Sequence, residues 1–174
     1  MRINQWLCRP RVVALATLLL IALDQATKGL AVRFLKGQVP LVLWEGVFEL
    51  HYLENRGAAF GMLQGQRALF LLIGLAVFAA AIWFFRCVSE DGKFWPLRLI
   101  AVFILAGAWG NMIDRLRLSY VVDFFYFRLI DFPIFNVADI YVSVGTAVLA
   151  LLILFYYKDE DLNLLLERRK KERA

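Results

Sequence analysis

Two carboxylates stand where hydrocarbon should not tolerate them: Asp123 in Val121-Val122-Asp123-Phe124 and Asp139 in Phe135-Asn136-Val137-Ala138-Asp139. A carboxylate is costly to hold near lipid, so such a residue is a functional-site candidate by default. If the two meet they form an acid/base pair, because like charges held close do not both ionise and one keeps its proton. A pair of this kind can position a water, take its proton, and protonate first a carbonyl oxygen and then a leaving nitrogen. That is peptide hydrolysis without a covalent intermediate. Asp139 opens a helix whose positive end favours the ionised form, whereas Asp123, on an aromatic loop beside another charge, is pushed to keep its proton.

Further polar residues gather around this pair. Gly107, Asn111, Asp114 and Arg115 share one face of a helix, so Asn111 and Arg115 can orient the aspartates or hold a substrate carbonyl. Asp114 beside Arg115 reads as a structural ion pair. Asp24 and Lys28, four apart in the favourable order, either neutralise one another or position substrate. Asn136, three residues before Asp139, fits a helix N-cap with an acid in the first turn. Asp131 is read as a turn residue. His51 is the only histidine and no Gly-x-Ser-x-Gly occurs, so a Ser-His-Asp hydrolase is not indicated; neither a metal site nor a cofactor is expected.

The elements that must carry these residues are membrane spans. Of 174 residues, 61% are apolar and 20% charged, which indicates one integral membrane domain over residues 1–174 rather than a soluble fold. The net charge of +5 does not point to nucleic acid, because the basic residues collect at the ends of apolar segments as topology signals and lipid contacts. Residues 68–85 and 140–157 carry no charge and are long enough to span. Two more spans carry polar residues toward one end, giving helices over about 12–35, 68–85, 97–115 and 137–157. The expected fold class is therefore an all-α polytopic membrane protein with four transmembrane helices.

Lys and Arg are more numerous on the side of the termini, which places both in the cytosol and residues 36–67 and 116–136 outside. The basic start and apolar stretch of residues 1–30 also suit a signal peptide, but no small-x-small site follows, so an uncleaved anchor is expected. Cys8 and Cys87 then lie on the reducing side as inert thiols. Phe48, Leu50 and Tyr52 alternate with Glu49, His51 and Leu53, which predicts an amphipathic strand on the membrane surface between helices one and two. The segment 116–135 is also β-rich and aromatic. Ser89-Glu90-Asp91-Gly92-Lys93 reads as a plain turn, and Lys158 to Ala174 as a short helix on anionic lipid. By rise along the helices, Asp24 and Asn111 reach the outer third of the membrane, where Asp139 begins the last helix. A proton-coupled transporter or scaffold would use such acids too, but no internal duplication is evident.

Taken in order, Asp24-Gln25-Ala26-Thr27-Lys28, Asn55-Arg56-Gly57-Ala58-Ala59-Phe60-Gly61, Gly110-Asn111-Met112-Ile113-Asp114-Arg115, Val121-Val122-Asp123-Phe124 and Phe135-Asn136-Val137-Ala138-Asp139 resemble the motifs of bacterial lipoprotein signal peptidase, signal peptidase II. The resemblance covers nearly the whole chain. It implies a monomeric inner-membrane aspartyl peptidase, without cofactor, that removes the signal peptide of a prolipoprotein before its diacylglyceryl-modified cysteine, near the outer leaflet. It assigns the catalytic dyad to Asp123 and Asp139, and support of dyad or substrate to Asn55, Gly57, Asn111, Arg115 and Asn136, with Asp24 and Lys28 in the first-helix motif. It further implies inhibition by the cyclic peptide globomycin. Two departures stand out: Ala106-Gly107 where Gly-Gly is common, and Ser119-Tyr120 where a Gly often precedes Val-Val-Asp.

Overall fold

The computed structural model describes residues 9–57, 65–88 and 92–161. The expectations for Cys8, for Ala58 to Gly61, for Ser89 to Asp91 and for the tail beyond Asp161 lie outside the described residues. Four helices long and apolar enough to cross a membrane are present, joined by a small three-stranded antiparallel sheet. Helix α1 (Pro10–Leu35) begins with proline, whose missing N–H costs nothing in a first turn, and ends before Gly37 at φ +74°. Strands β1 (Leu41–Trp44) and β2 (Phe48–Asn55) form a hairpin turned at Gly46, at φ +70°. Helix α2 (Arg67–Cys87) follows, then a 3-10 turn (Gly92–Phe94) and helix α3 (Trp95–Arg117). Strand β3 (Val121–Tyr126) leads to helix α4 (Val137–Leu151), which continues as one π-helical stretch (Leu152–Tyr156).

Helix α3 is the hub. It packs against α1, α2 and α4, whereas α2, the most apolar span, buries little beyond Gly74 and Ala81 and turns most of its surface outward, toward lipid. Small residues set how closely the helices approach. A Cβ at Gly107 would run into the Ala138 carbonyl oxygen, and one at Gly110 would collide with the Asp24 carboxylate. Ala106, one of the two departures from the family pattern, is fully buried without hindering that approach.

The sheet extends the strand expectation, because its third strand comes from the segment between α3 and α4. Strand β2 pairs with both neighbours, and its register on β3 places Asn55 opposite Val121 and Leu53 opposite Asp123. On the other face of β3, Val122 and Phe124 pack with Ala31 and Leu35 at the end of α1. Burial along β2 does not follow the simple alternation: Glu49 is buried, its charge matched by Arg128 at 2.6 Å. Ser119, the second departure, adopts φ +70°, the left-handed conformation that glycine takes without steric cost. At the opposite end Lys93 pairs with Asp161 at 2.6 Å, and the Tyr157 hydroxyl donates to the Lys93 carbonyl.

Candidate active site

Asp123 and Asp139 come from different elements and converge on one residue. Phe135 exchanges backbone hydrogen bonds with Phe125, 2.9 Å and 3.0 Å, and this bridge draws Asn136 alongside β3. Asn136 then caps α4: its Oδ1 accepts from the Asp139 N–H at 3.0 Å, while its own N–H donates to Asp139 Oδ2 at 3.1 Å. With its oxygen committed to the cap, its amide nitrogen is free to donate, and it does so to Asp123 Oδ1 at 2.6 Å. The expected cap is therefore present, and one residue holds both acids, Asp123 through its side-chain amide and Asp139 through its backbone N–H.

Two more asparagines are oriented in the same manner. Asn55 Oδ1 accepts from the Gly57 N–H at 2.9 Å, so its Nδ2 donates to Asp123 Oδ2 at 2.8 Å. This is the diagonal contact that the β2–β3 register permits. Asn111 Oδ1 accepts from Lys28 Nζ at 2.8 Å and from Asn136 Nδ2 at 3.1 Å, which turns its Nδ2 onto Asp139 Oδ1 at 2.8 Å. Each amide is thus fixed by a donor on its oxygen and presents N–H to a carboxylate. Arg115 donates to the Gly57 carbonyl at 3.1 Å and lies over the Phe70 ring at 4.3 Å, tying α3 to the segment after β2.

Below the aspartates lies a buried ionic cluster. Lys28 Nζ stands 3.0 Å from Asp24 Oδ2 and 3.0 Å from Asp114 Oδ2, so with Asn111 its three protons have three acceptors. Asp24 also accepts the Ala138 N–H at 2.9 Å, and Asp114 the Val122 N–H at 3.1 Å. The expected pairing of Asp114 with Arg115 is corrected: adjacent helical residues point about 100° apart, and Asp114 turns to Lys28 while Arg115 turns to Gly57. Asp24 and Lys28 are an ion pair, and their contact with the aspartates runs through Asn111. Sequence reasoning passed over Gln25, whose amide reaches Asp24 at 3.2 Å, Asp114 at 3.0 Å and the Gly110 carbonyl at 3.1 Å. The available signal was its place beside Asp24 on the polar end of α1.

Asp123 is 1% exposed. Burial, and next the charge of Asp139, push its carboxyl up to about 7, against the lowering effect of hydrogen bonds from Asn55 and Asn136. A buried acid that holds a proton near neutrality, beside a second carboxylate, is suited to proton transfer at neutral pH.

Known proteins resemble this chain in sequence and fold. A solved bacterial membrane enzyme, at 2.3 Å resolution, superposes with a TM-score of 0.76 and 26% identity, covering 86% of this chain and 93% of that one. The lipoprotein signal peptidase of Streptococcus pneumoniae is 45% identical over 147 residues, 82% of this chain and 92% of the relative. That of Clostridioides difficile is 40% identical over 144 residues, 82% and 94%. The family model described as signal peptidase (SPase) II matches residues 16–155, a stretch that contains every side chain of the site, and the chain accordingly belongs to the signal peptidase II family of membrane-embedded peptidases.

Proposed function

We propose that this signal peptidase cleaves prolipoproteins on the N-terminal side of a diacylglyceryl-modified cysteine, with Asp123 and Asp139 as the catalytic pair. The observation that carries the reading is Asn136, which hydrogen-bonds both carboxylates and so holds them as one unit. In the proposed sequence Asp139 removes a proton from a water held between the acids while Asp123 gives its proton to the scissile carbonyl oxygen. The resulting tetrahedral diol collapses as its C–N bond breaks. The leaving nitrogen takes the proton from Asp139, and Asp123 recovers one from the diol, which restores the pair. The titration of Asp123 near 7 supports this division of labour.

The placement of the pair supports a substrate fixed by its lipid. Asp123 and Asp139 lie at the end of the helices where the sheet sits, and β1 exposes Leu41, Val42, Leu43 and Trp44, side chains that suit the membrane interface. Arg9, Arg11, Arg86, Lys93 and Lys158 gather toward the other end, which supports cytosolic termini and a site at the outer leaflet of the bacterial inner membrane. A diacylglyceryl group in that leaflet brings the peptide bond to the aspartates. The aromatic segments of β2 and β3 cover it as a lid, and globomycin binds the same site of a monomeric enzyme.

The test is cleavage of a purified prolipoprotein by the full chain in bilayers, with the product weighed by mass spectrometry. Cleavage before the modified cysteine, dependence on the diacylglyceryl group and inhibition by globomycin are expected. Equal processing of unmodified precursor would overturn the substrate assignment.

A further inference from the structure

Away from the aspartates, α1 and α2 each pack on α3 rather than on one another, and between them runs an apolar groove of about 690 Å³. Ala14, Leu18 and Ile21 of α1, Phe78 and Phe85 of α2 and Leu105 of α3 form its walls. It follows α1 from Pro10 to Ile21, about 17 Å of helix, close to the depth of one leaflet of a roughly 30 Å hydrocarbon core. The deep end is narrowed by the Phe78 and Trp109 rings, in edge contact at 5.4 Å. At the other end Arg86 and Arg98 line the groove, and the exposed Arg9 and Arg11 flank Pro10.

The groove does not belong to the peptidase site. On α3 its residues Arg98, Leu105, Trp109 and Ile113 form one stripe, and Asn111 and Arg115 project about 155° and about 115° away from its centre. A slender apolar chain with an anionic head matches both the walls and the basic mouth.

We propose that the groove between α1 and α2 is a binding site for an anionic phospholipid, its acyl chain lying along α1 and its phosphate held at the mouth by Arg86 together with Arg9 and Arg11. The site is independent of the dyad, so its failure would leave the peptidase reading intact. Native mass spectrometry of the full chain, released from bilayers of equal phosphatidylglycerol and phosphatidylcholine, tests it. Phosphatidylglycerol should be retained at least about fivefold over phosphatidylcholine, and Arg86→Gln should lower that preference about fivefold, the worth of one basic residue near a phosphate. Ala14→Phe, which fills the groove, should remove the bound lipid and leave turnover unchanged. Equal retention of the two lipids by the unaltered chain would overturn the proposal, as would undiminished lipid on Ala14→Phe. If Ala14→Phe instead raised KM for the lipopeptide without changing lipid retention, the groove would be assigned to the signal peptide and the lipid site abandoned.

Discussion

Asn136 carries two roles on one side chain, a helix cap through its oxygen and a link to Asp123 through its nitrogen. The cap was legible from Asn and Asp three apart, and so was the exceptional character of Asp123 and Asp139. The link was not, because it depends on the Phe125–Phe135 bridge, which the sequence does not announce. The two roles separate experimentally. Serine also caps helices well, so Asn136→Ser should keep thermal stability within about 1 kcal/mol. Loss of the hydrogen bond to Asp123, which becomes charged as it gives up its proton, should still lower kcat/KM about 10- to 100-fold. Matching losses of stability and turnover would contradict the second role. The proton on Asp123 gives a pH signature of definite sign: the acid form is the active one, so kcat/KM should fall as pH rises through about 7. A profile flat from pH 6 to 9 would show that Asp123 does not act as the acid.

Among the elements, α1 and α3 are locked by charges that neither helix shows on its own. The Asp24–Lys28 pair could be read locally, but the second carboxylate on Lys28 comes from Asp114. That contact joins residues far apart in sequence, beyond the reach of helical spacing; the same limit hid the roles of Gln25 and of β3 as third strand. Burial makes the cluster sensitive to partial removal, since a buried carboxylate left without its cation costs about 3–5 kcal/mol. Lys28→Met should therefore lower the unfolding temperature sharply, and adding Asp24→Asn and Asp114→Asn should recover much of the loss. A triple variant no more stable than Lys28→Met alone would argue against charge as the cause. Turnover should remain low in both, because Asn111 loses the shorter of the two donor contacts that turn its amide toward Asp139.

For the molecule as a whole, composition was enough to read four spans, and their bounds fall near those expected, because an apolar run without charge has few other folds open to it. The uneven share of the helices in packing was not legible. Helix α3 holds Asn111, Gly107 and Gly110 and serves as the hub, whereas α2 is nearly all apolar and faces lipid. The architecture brings a strand from between α3 and α4 and the first turn of α4 to one place, each supplying one acid. Turnover of a lipid-modified prolipoprotein by purified Asp123→Asn and Asp139→Asn, each shown to insert and unfold cooperatively, probes this convergence most directly. Loss of at least about 1,000-fold in both, equivalent to roughly 4 kcal/mol of transition-state stabilisation, is the predicted result. Turnover near that of the unaltered chain in either variant would contradict the shared-proton mechanism.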